Sequence, residues 1–287
     1  MKIVVVGTRG IPDIQGGVET HCEELYPRLA AMGHDVTVVR RSCYVTPQNK
    51  IKEYKGVHLK DIYAPRRKSI EAIVHTFLAI IYARWVGADV LHIHAIGPAL
   101  LTPLARLLGL RVVMTHHGPD YDRQKWNKTA KSVLRWGERM GTNYANEVIV
   151  ISTVIDNILR EKYDRTDAHL IYNGVNKPVP AKDDSYIRSL GLTPRRYVLA
   201  VGRFVEEKGF DLLIKAFARI SGSNCKLVIV GDADHEDHYS VSLKRLAEEH
   251  HVVLLQQELF IFILIVDQLE PYAATDQEKQ IMDVGVP

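Results

Sequence analysis

Residues 197–217, YVLAVGRFVEEKGFDLLIKAF, constrain the fold more than any other stretch of this chain. The apolar run over 197–201 stops at Gly202, the pattern of a strand buried on both faces. Over 209–217 the period changes to that of a helix, with Phe210, Leu213, Ile214 and Phe217 on one face. Arg203 and Lys208 lie on the loop between them, at the carboxyl end of the strand, where open α/β sheets take their ligands. A helix start offers unpaired N–H groups and a positive dipole, and two cations beside it suit a diphosphate. By local pattern alone, solvated loop charges fit the same two residues equally well.

The chain opens in the same style. Residues 2–6 predict a strand, GTRGIPDIQGG over 7–17 a glycine-rich loop, and Val18, Cys22, Leu25 and Leu29 a helix face; 35–39 is a second strand. This β-loop-α-β order begins a doubly wound α/β domain. A dinucleotide enzyme is the obvious rival. The glycines at 7, 10, 16 and 17 do not spell G-x-G-x-x-G, and the second strand ends in Arg40 and Arg41 without a carboxylate for a ribose. Arg40 would suit a 2′-phosphate, which keeps an NADP-linked enzyme as an alternative. Gly16 and Gly17 at a helix start let backbone N–H groups approach an anion, although a tight turn without a ligand has the same pattern.

The wording of these segments narrows the reading. V-G-R-x-x-x-x-K-G-F-D-x-L-I-x-A-F resembles the donor-site segment of family 4 glycosyltransferases. GTRGIPxxxGGxET, followed by EEL, RL and GHxVTV, resembles the opening of a rhamnosyltransferase-like bacterial subgroup of that family. The segment THHGPDYDRQKWNK resembles the subgroup's H-G-x-D-W-x-R-x-K-W, with Tyr121 where tryptophan is usual. The resemblance implies a GT-B fold: two doubly wound Rossmann-like domains facing across a cleft. Residues 1–177 would form the acceptor-side domain and residues 185–287 the nucleotide-sugar-binding domain. N-G-V-N over 173–176 resembles the family's crossing between domains, with Asn176 in place of an aspartate, and Pro178 and Pro180 mark a linker. By the same resemblance Arg203 and Lys208 hold the donor diphosphate, Gly16 and Gly17 face the donor phosphates and acceptor, and His117 lies at the sugar.

Four histidines, His92, His94, His116 and His117, sit on or just after the strands expected over 89–94 and 111–115. No H-E-x-x-H or comparable ligand spacing accompanies them, so packed or hydrogen-bonded imidazoles are expected and no metal. Asp234, Glu236 and His238 belong to a charged loop tip, expected to be solvated. Tyr121 and Lys125 spell a short-chain dehydrogenase pair, but a chain with 13 tyrosines produces such spacing by chance.

The second domain continues with strands over 226–230 and 252–255 and a helix over 239–249. Only Gln256 to Glu258 then precede the apolar run LFIFILIV, whereas a crossover between parallel strands needs a dozen or more residues. The second domain is therefore expected to be incomplete or disturbed. Glu270 and Glu278 form an E-x7-E pair after that run. The resemblance gives Glu270 a place near the reacting sugar and Glu278 a bond to the nucleotide ribose.

Composition excludes several classes. A net charge of +3 over 287 residues makes no case for nucleic acid, though it tolerates an anionic membrane surface. Three separated cysteines without a C-x-x-C pair argue against a disulfide scaffold and for a reducing compartment. MKIVVVG is too short an apolar run for a signal peptide. The expectation is a cytoplasmic enzyme, peripheral to the membrane at most. It would move a sugar from a nucleotide diphosphate sugar to a glycan or lipid-linked acceptor, with retention and without a cofactor or metal. The alternatives are a remnant that binds nucleotide without turnover, and the NADP-linked enzyme.

Overall fold

The computed structural model describes residues 1–67, 70–123, 126–174, 183–220, 225–233 and 236–255. Lys125, Asn176, Pro178, Pro180, Asp234, Glu270, Glu278 and the run after Leu255 lie outside the described residues. The chain divides into two compact units, Met1–Gly174 and Val175–Pro287.

The first unit holds strands β1 (Lys2–Val6), β2 (Asp35–Arg41), β3 (Glu53–Tyr54), β4 (Val57–Ile62), β5 (Val90–His94), β6 (Val112–His116), β7 (Glu147–Val150) and β8 (His169–Leu170). Its helices are α1 (Gly17–Ala31), α2 (Glu71–Trp85), α3 (Thr102–Leu107), α4 (Lys128–Tyr144) and α5 (Thr153–Tyr163). The strands form one sheet in the order β3-β4-β2-β1-β5-β6-β7-β8. Every pairing is parallel except β3 with β4.

β1 shows why an all-apolar strand is needed here. Ile3 and Val5 pack with Cys22 and Tyr26 of α1, while Val4 and Val6 pack with Ala79, Ile80 and Ala83 of α2. The strand is thus covered on both faces, as parallel sheets require. β5 follows the same alternation. Leu91 and Ile93 join the α2 side, which leaves His92 and His94 on the other, where Tyr26 of α1 meets them. From β1 the sheet grows outward through β2 on one side and β5 on the other. The carboxyl ends of β1 and β5 are therefore the topological switch point, the usual position of a ligand in such sheets.

The second unit contains α6 (Ser185–Ser189), β9 (Tyr197–Val201), α7 (Phe210–Ala218), β10 (Lys226–Val230), α8 (His238–Glu249) and β11 (Val253–Leu255). Its strands run parallel in the order β11-β10-β9. β10 alternates in turn: Val228 and Val230 pack with Ile187, whereas Leu227 and Ile229 pack with Phe210, Ile214, Leu243 and Ala247.

Arg40 is not available to a nucleotide. Its side chain is fully buried, with Nε 2.7 Å from Asp61 Oδ1, Nη1 2.7 Å from the Asn49 carbonyl and Nη2 3.1 Å from the Ile51 carbonyl. A 2′-phosphate cannot reach a guanidinium already surrounded by acceptors, so the NADP-linked alternative loses its one supporting residue. Of the Tyr121 and Lys125 spacing, Lys125 lies outside the described residues, and the buried Tyr121 hydroxyl is bound to Glu138 and Lys162. Cys22, Cys43 and Cys225 are all free thiols. Among the described residues no helix is long and apolar enough to cross a membrane.

Candidate active site

The loop after β1 is held from within. Glu19, in the first turn of α1, is almost fully buried. Its Oε1 accepts the Arg9 N–H at 2.9 Å and the Thr8 hydroxyl at 3.2 Å, and Thr8 Oγ1 accepts the Gly10 N–H at 3.2 Å. The Arg9 guanidinium donates to the Gln15 carbonyl at 3.0 Å and lies 5.4 Å over the Tyr44 ring. Two glycines permit this path. Gly7 has φ +97°, and a Cβ there would stand 2.1 Å from the His94 carbonyl oxygen. Gly16 has φ +155°, and its Cβ would strike the Glu19 carboxylate at 2.0 Å. Gly17 differs: a Cβ there meets nothing within 4 Å. The first residue of the fifteen-residue helix α1 thus faces open space, with the unpaired N–H groups of a helix start beside it.

One helical turn beyond Gly17 stands His21, and it belongs to a group of imidazoles. Its ring is 5.2 Å from that of His117 and 5.7 Å from that of His94, both edge to face. His94 and His117 stack with centroids 5.1 Å apart, and His94 Nδ1 is 2.8 Å from His117 Nε2. The line continues inward. His94 Nε2 bonds the Tyr26 hydroxyl, that hydroxyl lies 3.0 Å from His92 Nδ1, and His92 Nε2 lies 2.8 Å from Thr115 Oγ1. Burial pulls the pKa of His92 and of His117 down to about 3, with the neighbouring imidazoles adding to it; His94 is lowered well below the ordinary range and His21 is lowered too. These rings are therefore neutral at neutral pH, and each carries one N–H and one lone pair.

The turn that carries His117 has its own support. Gly118 N–H donates to His116 Nδ1 at 3.1 Å, which leaves the His116 proton on Nε2, 2.9 Å from Glu138 Oε1. Glu138, buried on α4, also accepts from Tyr121 at 3.1 Å and from Tyr163 at 2.6 Å. Burial works to raise its pKa, but the bonds from His116, Tyr163 and Tyr121 outweigh that and hold it below the usual value. A charged carboxylate fastened by three donors fixes the chain directly before His117.

In the second unit, Arg203 and Lys208 share the loop between β9 and α7. Phe204 N–H donates to the Asp232 carbonyl at 3.0 Å, and the side chain of Phe204 is buried against Phe210. Arg203 is half-buried and Lys208 exposed. Gly209, with φ +62°, caps α7 without a side chain.

Residues 15–177 match Glycosyltransferase Family 4, and residues 183–265 match Glycosyl transferases group 1. The chain belongs to glycosyltransferase family 4. It is 26% identical to the alpha-maltose-1-phosphate synthase of Mycobacterium tuberculosis, an alignment that covers 90% of this chain and 68% of the relative. Among solved structures it resembles a sucrose-phosphate synthase from Thermosynechococcus elongatus, with a TM-score of 0.71 and 19% identity over 92% of this chain and 73% of that one. It also resembles the Anabaena protein HepE in complex with UDP-glucose, with a TM-score of 0.68 and 18% identity over 89% of this chain and 69% of that one. The fold of this family 4 chain is accordingly of the GT-B class, built from two Rossmann-like α/β units.

The structure thus gathers Gly16, Gly17 and His117 at one switch point and puts Arg203 and Lys208 on one loop of the other unit. Glu270 and Glu278 lie outside the described residues. Sequence reasoning missed His21, Tyr26 and Glu19. The acidic residue in the first helical turn was a usable signal for Glu19; His21 and Tyr26 had none, since their partners lie far along the chain.

Proposed function

We propose that this glycosyltransferase moves a sugar from a nucleotide diphosphate sugar to a hydroxyl acceptor with retention of anomeric configuration. The observation that carries the reading is the neutral His117 imidazole beside the open start of α1. One ring nitrogen pairs with His94, and the other can accept from or donate to a sugar hydroxyl, as positioning a hexose requires. Residues 1–177 then serve as the acceptor-side domain, and residues 185–287 as the nucleotide-sugar domain. Arg203 and Lys208 neutralise the leaving diphosphate, an electrostatic task that needs no metal. Gly16 and Gly17 bring backbone donors to the phosphates. Glu270 near the sugar and Glu278 at the ribose complete the set. The UDP-glucose complex of HepE supports a nucleotide-sugar donor. A lipid-linked or polysaccharide acceptor of the cell envelope, as in a rhamnosyltransferase-like subgroup, suits a protein working at the inner face of the membrane.

The test is donor turnover. A panel of nucleotide sugars, UDP-glucose included, is incubated with the protein, and released nucleotide is measured with and without acceptor lipid extract. Arg203→Ala and Lys208→Ala should each lower turnover at least about a hundredfold, the scale of removing one donor from an oxyanion site. Unchanged turnover in both variants would overturn the assignment. Calorimetric binding of nucleotide with no turnover on any donor would instead indicate a binding protein.

A further inference from the structure

We propose that His21, His94 and His117 form a binding site for a borderline-soft divalent transition ion such as Zn²⁺. One ligand nitrogen from each ring lies within 4.8 Å of the others. Three imidazoles from three different elements, α1, β5 and the turn after β6, converge on this point. Three histidines with a fourth position left to water or an exogenous oxygen are an established ligand set for zinc, and imidazole also suits Cu²⁺, Ni²⁺ and Co²⁺.

The ligand atoms are defined by what the other ring nitrogens do. His94 Nε2 is taken by the Tyr26 hydroxyl, so Nδ1 is the atom that faces the ion. His117 presents Nε2, 2.8 Å from that atom. Tyr26, itself fixed by His92 and through it by Thr115, supplies the outer hydrogen bond that sets ring orientation at a metal ligand. Around a tetrahedral ion with bonds of about 2.0–2.1 Å, neighbouring nitrogens stand about 3.3 Å apart. The His94–His117 pair must open slightly to reach that spacing, and the His21 ring must swing inward. His21 and His117 are half-buried and His94 is buried, so His21, near the start of α1, is a member that can adjust. An ion at this point replaces the proton that His94 and His117 otherwise share.

Binding of the ion does not depend on the proposed transfer reaction. Its consequence does: an ion on His117 fixes the ring that would otherwise position the sugar, so bound zinc should inhibit transfer rather than activate it.

The experiment is metal binding by the full chain, read without any activity assay. Zn²⁺ is titrated in competition with a chromophoric chelator, and Co²⁺ is added separately to record its visible ligand-field bands. One equivalent of each ion should bind, with cobalt bands of four-coordinate intensity. His21→Ala should weaken zinc at least tenfold and abolish those bands, while His58→Ala, at an exposed position of β4, leaves both unchanged. His21→Asn, which keeps the size and polarity of the site, should behave as His21→Ala does, with an unchanged far-ultraviolet circular dichroism spectrum in each. Absence of stoichiometric zinc binding, or binding unaltered in His21→Ala and His21→Asn, would refute the site.

Discussion

His94 and His117 share a single proton across 2.8 Å, and neither ring carries a charge at neutral pH. Everything behind His94, from Tyr26 to Thr115, serves to keep that contact in place.

Removing the Tyr26 hydroxyl tests this arrangement. Tyr26→Phe leaves His92 Nδ1 and His94 Nε2 buried without the partner that joins them. Leaving buried polar atoms unsatisfied costs about 1–3 kcal/mol. Urea unfolding should show a loss of that size, with an unchanged dependence on denaturant. A variant as stable as the parent would mean that the two rings find other partners.

Gly17 and Gly7 should separate function from folding. A methyl group at Gly17 enters open space, and alanine favours a helix over glycine by up to about 1 kcal/mol. Gly17→Ala should melt at or above the parent temperature yet lose donor turnover by at least about tenfold, because the methyl group occupies the approach to the helix start. Gly7→Ala should fail to accumulate as folded protein, since its Cβ would overlap a backbone carbonyl at a positive φ. Thermal melting and turnover measured on both variants decide the point.

Glu138 should behave as a fastener rather than a reacting group. Glu138→Gln removes a charge that accepts from His116, Tyr121 and Tyr163. Hydrogen bonds to a charged group contribute about 1.5–3 kcal/mol each, so a loss of about 2–4 kcal/mol is expected for the replacement. Nucleotide affinity in the folded fraction should change little. A tenfold loss of nucleotide affinity at full stability would place Glu138 in the binding machinery instead.

The buried histidines also set the acid limit of the fold. His92 and His117 titrate near 3 and His75 near 4 in the folded chain, against an ordinary value of 6.5 once unfolded. Between those values the unfolded chain binds protons that the folded chain refuses, so stability falls as pH drops below 6.5. Each such histidine contributes a slope of up to about 1.4 kcal/mol per pH unit. Unfolding free energies measured at pH 7.5, 6.5, 5.5 and 4.5 should be flat over the first interval and fall steeply over the last two. A flat profile down to pH 4.5 would show that these rings accept protons in place.

Several elements were legible because local pattern and tertiary demand agree. The strands expected over 2–6, 197–201 and 226–230 are β1, β9 and β10 without adjustment, each an apolar run ended by a glycine. β2 runs two residues further than expected, to Arg41. Arg40 suits a 2′-phosphate by its position in the sequence, but Asp61 and the carbonyls of residues 49 and 51 occupy its guanidinium from inside. α4 begins at Lys128 because Asn127 caps it through a bond to Ala130 N–H, which apolar spacing does not register. α5 escaped notice altogether; only Ile155 and Leu159 of its eleven residues are buried, too few for a visible stripe. In the sequence, Gly16 and Gly17 stand out at a helix start and His117 just after a strand. His21 does not, because its neighbours come from other strands and only the sheet order brings them together.

Arg40 has a mechanical consequence beyond the exclusion of a cofactor. Its guanidinium joins the Asp61 carboxylate of an outer strand to the carbonyls of residues 49 and 51, while its aliphatic stem lies against Gly10. The border of the sheet and the glycine-rich turn are thereby made one cooperative body. Opening the border strips a charged group of its acceptors beneath that turn, so amide protons on both should exchange with deuterium at a common rate.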